Sequence, residues 1–287
     1  MRIQKRVFEK MFFFKNSATC RILSALILFS LLLTACQKNG PDQVINSDEL
    51  TDLSEGHHSD KKNTFYGPQV QMGNGKARSW IIINHKNVPV EIGIEITRSS
   101  LYGLPTDPEN FPANTFILPL HHKAKQVTPF DHIVLNWEPN GHEPPGIYDV
   151  PHFDMHFYKI SLQEQMGIGP VDPIDPPAGY LPPSYVIRGA SVPQMGTHWL
   201  DPSSPELPPV FAPFTHTFIY GSHDAKVIFY EPMITRSFLL GGMEVHKAIP
   251  EATKFSPSNT YYPSRYNIYR DEDNHKIQIT LDKFHWK

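Results

Sequence analysis

Residues 151–158 read PHFDMHFY. His152, Asp154 and His156 alternate with Phe153, Met155 and Phe157, so groups able to ligate a metal recur with a period of two. On a helix, His152 and His156 would be i, i+4 neighbours, as in helical zinc motifs, and Pro151 would suit a first helical position. The alternation instead favours a strand with the polar set on one face. A strand rises about 3.3 Å per residue, which sets His152 and His156 about 13 Å apart and residues two apart about 6.6 Å. One ion can then be held by His152 with Asp154, or by Asp154 with His156. All three would meet only through a bulge. Further ligands must come from other segments: His142 and Glu143 in GHEPPG, His198 in GTHW, Glu231 in FYEPMIT, and Glu244 and His246 in GGMEVH. This nitrogen and oxygen mixture suits one divalent transition metal, zinc, manganese, iron or copper. Three protein ligands with an open position would activate water or polarise a carbonyl. The same residues also suit a satisfied His–Asp hydrogen-bond network in a barrel interior with no ion, since buried polar groups are paired in either case.

Other chemistries have less support. There is no GxSxG elbow, no Walker loop and no dinucleotide fingerprint. The only cysteines are Cys20 and Cys36. A glycosidase pair would have to be Glu231 with Asp154 or Glu143, and nothing in the sequence sets their separation.

The elements that position these residues read as β. In SWIIINHKNVPVEIGIEIT, 79–97, two strands flank a turn at 85–88, and Val88, Val90, Ile92, Ile94 and Ile96 share one side. HIVLNW, THTFIYG, AKVIFYEPMIT, YYPSRYNIYR and HKIQITLDKFHW are further strands. RSSLYGLP, 98–105, predicts one helical turn, and SLQEQMGIG, 161–169, a short helix. Short strands with frequent turns predict an all-β fold with minor α content, an antiparallel barrel or sandwich. Residues 167–213 hold 12 of the 28 prolines. Proline cannot donate to a sheet ladder, so this segment predicts a long Pro-rich loop inserted in the domain, either a cover or a lid, with Tyr180, Tyr185, Trp199 and Phe211 packing against the body.

The N-terminus carries an address. Six basic residues and one acid precede and flank the apolar run ILSALILFSLLL, 22–33, which LTAC, 33–36, follows. A basic region, a short apolar run and small residues before a cut make a secretory signal, and the run is shorter than the ~20 residues of a membrane span. LTAC resembles a bacterial lipobox. That resemblance implies a signal peptide over 1–35, cleavage before Cys36 and lipid on its sulfur. Residues 36–63 then form a polar tether, with His57 and His58 solvated, and 64–287 one β-rich domain. Cleavage leaves 20 basic and 28 acidic side chains, a formal charge of −8, with no electrostatic footprint for nucleic acid. The mature domain has no disulfide and depends on its core.

WEPNGHEPPGIYDVPHFDMHFY, 137–158, with VPQMGTHW, 192–199, and VIFYEPMIT, 227–235, resembles an uncharacterised bacterial family of secreted proteins and lipoproteins. The resemblance runs from about Phe65 to the C-terminus. It implies a β-rich extracytoplasmic domain, oligomeric, and supplies no reaction; it carries His142, His152, Asp154, His156, His198 and Glu231 as site residues. HFDMH is also similar to cupin metal strands, but those place histidines two apart, and here Asp154 holds that position. The expectation is a lipoprotein of the bacterial cell envelope, periplasmic or at the cell surface, held to the membrane by lipid on Cys36, with a metal-binding His/Asp/Glu pocket. Two alternatives stay open: a non-catalytic lipoprotein that binds a sugar or other small molecule, with NTYYPSRYNIYR as stacking platform or as ordinary strand packing, and a structural envelope protein.

Overall fold

The computed structural model describes residues 62–107 and 113–287. The leader, Cys36 and the tether with His57 and His58 lie outside the described residues, except that Lys62 and Asn63 open the first strand. The described residues form an all-β fold of two seven-stranded antiparallel sheets. The first holds β1 (Lys62–Tyr66), β2 (Val70–Met72), β3 (Gly75–Asn84) and β4 (Pro89–Thr97), together with the last three strands, β12 (Val245–Ala248), β13 (Tyr261–Asp271) and β14 (Lys276–Trp286). Its order is β1-β3-β4-β14-β13-β12, with β2 also on β3. The second holds the middle of the chain: β5 (Thr115–Pro119), β6 (His132–Glu138), β7 (His152–Tyr158), β8 (Ile187–Val192), β9 (Gly196–Leu200), β10 (His216–His223) and β11 (Lys226–Thr235). Its order is β5-β6-β7-β11-β10-β9-β8.

Neither sheet closes on itself, so of the two expected architectures the fold is sandwich-like and the barrel does not form. Alternating residues of each sheet meet in one core: Ile81, Ile92, Ile94, Ile96, Ile277, Ile279 and Leu281 from the first, Leu118, Ile133, Leu135, Phe153, Met155, Phe157, Tyr230 and Ile234 from the second. Burying such side chains contributes roughly 1.5–3 kcal/mol each. Tyr262 and Tyr266 of the C-terminal tyrosine run also lie in this core, which makes them packing residues.

The helices are short. Arg98–Leu101 is the expected helical turn, in 3-10 form, and α2 (Leu162–Met166) starts on a capping box of Ser161 with Glu164. Two further helices, α1 (His122–Val127) and α3 (Arg236–Gly241), span under two turns each, too few for a helical period to show in sequence. The Pro-rich segment is a long connection that contains a hairpin. β8 and β9 have no proline, Pro193 lies in the turn between them, and β9 is an interior strand. Tyr185 and Trp199 are buried and Tyr180 packs against the core, whereas Phe211 is exposed. Among the described residues no helix is long and apolar enough to cross a membrane.

Candidate functional site

Every residue of β7 is buried, because both faces of its sheet are covered. Phe153, Met155 and Phe157 face the inter-sheet core, so His152, Asp154 and His156 face outward. The polar row expected in a barrel interior therefore lies on the outer face of an open sheet. Loops cover it. Tyr148, Leu207 and Phe214 pack over Ile219 and Met233 in one apolar cluster, and Ile168 packs with Val134, Tyr158 and Phe229 in another.

Strand register sets the neighbours. Across β6 the row meets Glu138 opposite His152, Asn136 opposite Asp154 and Val134 opposite His156. Across β11, Thr235 lies opposite His152 and Met233 opposite Asp154. Among the described residues two three-residue groups result, each with its potential ligand atoms within 4.8 Å of one another: His142, His152 and Asp154, and His156, His198 and Glu231. His152 and His156 thus belong to different groups, as their spacing along a strand requires.

In the first group, His142 Nε2 lies 3.4 Å from Asp154 Oδ2 and His152 Nε2 lies 3.0 Å from Oδ1. The other ring nitrogens are engaged. Nδ1 of His142 is 2.7 Å from the Glu143 carbonyl and Nδ1 of His152 is 2.7 Å from the Val150 carbonyl. A carbonyl only accepts, so each Nδ1 carries the proton, and in the neutral ring Nε2 presents a lone pair. Both lone pairs face a carboxylate, an arrangement that requires a shared cation, either a proton or a metal ion. The His152–Asp154 approach is short but lacks hydrogen-bond alignment; neither His152 Nε2 nor Asp154 Oδ1 has a hydrogen-bond partner among the described residues. Burial alone would raise the Asp154 carboxyl, but the neighbouring His152 and His142 side chains outweigh burial and hold it well below the usual carboxylate range. Burial likewise works against protonated His142, yet Asp154 outweighs it and lifts that imidazole to about 9.

In the second group, His156 Nε2 is 3.5 Å and His198 Nε2 3.8 Å from the two Glu231 oxygens. His198 Nδ1 points to the Ala190 carbonyl at 3.4 Å. These separations are long for hydrogen bonds. They match ligands around an ion, since two atoms each about 2.1 Å from a tetrahedral centre lie about 3.4 Å apart. Burial pushes His156 down to about 3 and lowers His198. Burial, with the Asp154 charge, holds the Glu231 carboxyl well above its usual range. A cation taken up here would displace the Glu231 proton.

His198 reaches Glu231 by crossing β10, where its partner is Gly221. A Cβ on Gly221 would stand 1.9 Å from Phe229 Cζ. The Phe229 ring occupies that space and contacts both His156, edge-on at 4.7 Å, and His198 at 5.4 Å. Tyr158 stacks on His156 at 5.5 Å and meets Phe229 edge-on at 5.3 Å.

Six of the nine candidate ligands read from sequence, His142, His152, Asp154, His156, His198 and Glu231, are therefore gathered at one sheet face. Glu143 contributes its backbone carbonyl only to His142. Glu244 and His246 are not brought in; they pair with each other at 3.8 Å by β12 of the other sheet. Glu138, Asn136 and Gly221 were not evident as site residues in the sequence. The alternation of His132, Val134, Asn136 and Glu138 against Ile133, Leu135 and Trp137 was the available signal for the first two. Burial, then the charge of Asp154, lift the Glu138 carboxyl to about 7.

Comparison with known proteins adds one match. A family model described as TTHB210-like, Hypothetical protein TTHB210, matches residues 84–137, from the end of β3 through β6 up to Trp137. The match stops before His142 and contains none of the six ligand residues. No curated protein and no solved structure matches the chain.

Proposed function

We propose that the chain is a metal-binding lipoprotein of the bacterial cell envelope, with one divalent transition-metal ion in each His/carboxylate group on the outer sheet face. The observation that carries this reading is the orientation of His142, His152 and His198. Each directs Nδ1 at a backbone carbonyl and Nε2 at a carboxylate, the second-shell arrangement that fixes ligating histidines. Each group offers three protein ligands, which leaves a tetrahedral ion one open position for water or a ligand. Zinc, manganese, iron and copper all accept this donor set.

Elemental analysis tests it, on the full chain purified in detergent without a His-tag or chelator. The expected content is about two equivalents of these metals, reduced by about one in His156→Ala while far-UV circular dichroism is unchanged. A metal-free chain whose melting temperature ignores added zinc and manganese would sink this reading and leave a hydrogen-bonded polar network.

The anchoring rests on the basic leader, the run 22–33 and LTAC. Lipid on Cys36 predicts incorporation of labelled palmitate in the producing bacterium, abolished by Cys36→Ser. Equal labelling of the two chains would rule out this anchor.

A further inference from the structure

The outer face of β6 continues the ligand row sideways. Asn136 and Glu138, opposite Asp154 and His152, help to floor a cavity of about 280 Å³. Asn114 and Thr115 close it on the β5 side, with Gln165 of α2 and Gln194 of the β8–β9 turn above. Its size is at the low end of small-molecule sites.

The chemistry of the lining is specific. Four carboxamides and a hydroxyl offer donors and acceptors together. Among the described residues no lysine or arginine lines it, and Glu138 is its only ionisable group. In the metal-free chain an anionic ligand would find no counter-charge on this lining. Asn136 is buried; its Nδ2 donates to Thr115 Oγ1 at 3.1 Å, while its Oδ1 has no hydrogen-bond partner among the described residues. A buried amide oxygen left unpaired is costly and marks a place where a hydroxyl would be accepted. The Gln194 backbone is pinned at both ends, its N–H to the Ile168 carbonyl at 2.9 Å and its carbonyl to the Tyr158 hydroxyl at 3.1 Å. That holds its side chain over the cavity.

We propose that this cavity takes a small, uncharged, hydroxyl-rich molecule, a monosaccharide or cyclic polyol, and presents it to the metal row past Glu138. The presentation rests on the metal reading above; the binding does not. The test is isothermal titration of the full chain in detergent with D-glucose, D-ribose and myo-inositol, and with citrate as the charged control. Chelator-treated and zinc-loaded samples are compared, their zinc content measured in the same tubes. In the chelator-treated sample at least one neutral probe is expected to bind and citrate not to. Asn136→Ala and Gln194→Ala should each weaken binding roughly tenfold, as loss of one well-placed hydrogen bond does. Gln194→Ala, in a turn, keeps the backbone bonds and guards against a variant that merely misfolds. Zinc loading should tighten binding several-fold by offering a hydroxyl the open position. Three outcomes overturn the proposal: no neutral probe binds, both variants bind as the wild type does, or a sample shown to carry zinc binds no better than the chelated one. A chain that takes up no zinc yet binds a probe through Asn136 overturns the metal reading alone.

Discussion

Asp154 faces two imidazoles with a single carboxylate, and its effect on His142 has a measurable sign. The folded-state value for His142 is raised to about 9, above the ordinary 6.5, because Asp154 outweighs burial. A raised imidazole contributes stability that is fully present below the unfolded value and is lost as pH rises through the folded one. The metal-free chain should therefore lose stability between about pH 6.5 and pH 9. Asp154→Asn removes the charge while an amide still fits the site, and should flatten that slope. The change should stay below about 1 kcal/mol, since His142 is exposed and its pairing is screened by solvent. Urea denaturation of both chains at pH 6 and pH 9.5 in chelator measures it; equal slopes would show that His142 is not held by Asp154. In metal the slope should reverse in part, because protons compete with the ion for Nε2 at low pH.

At the scale of elements, the second group depends on three adjacent strands keeping one gap. β9 supplies His198, β11 supplies Glu231 and Phe229, and β10 between them supplies no side chain at Gly221. Gly221→Ala places a methyl inside the Phe229 ring position, so the ring must leave its seat between His156 and His198. Overpacking of this kind costs about 1–3 kcal/mol. The variant should melt earlier, and its metal content should fall by about one equivalent while the His142 group keeps its ion. Full metal content at wild-type stability would mean that Phe229 positions neither histidine. This dependence also separates what could be read from sequence. The polar row of β7 was legible because its alternation is local, and the separation of His152 from His156 follows from strand rise. Gly221 has no local signature, because its role exists only once β9 and β11 flank β10. The β8–β9 hairpin was obscured for another reason: eleven strand residues without proline surround one turn proline inside a segment dominated by proline. Closure was equally out of reach, since pairings distant in sequence, β14 on β4 and β11 on β7, decide whether strands make a barrel or two layers.

At the scale of the whole molecule, the first sheet joins both ends of the domain. β14 lies between β4 and β13, so the N-terminal strands and the C-terminal hairpin share one ladder. Ile277, Ile279 and Leu281 are at most 2% exposed and complete the core against the second sheet. At roughly 1.5–3 kcal/mol for each of these side chains, loss of β14 removes an amount comparable with the whole stability of a typical domain, about 5–15 kcal/mol. No disulfide can compensate, since both cysteines precede the domain. Truncation after His275 also leaves β4 and β13 with unpaired edges, which favours aggregation. The expected outcome is a chain with no cooperative melt in circular dichroism and no metal retained, although β14 carries none of the six ligands. A truncated chain that melts cooperatively and still binds metal would show that the second sheet and its outer-face site stand without the first, and that the two layers are separable units of stability.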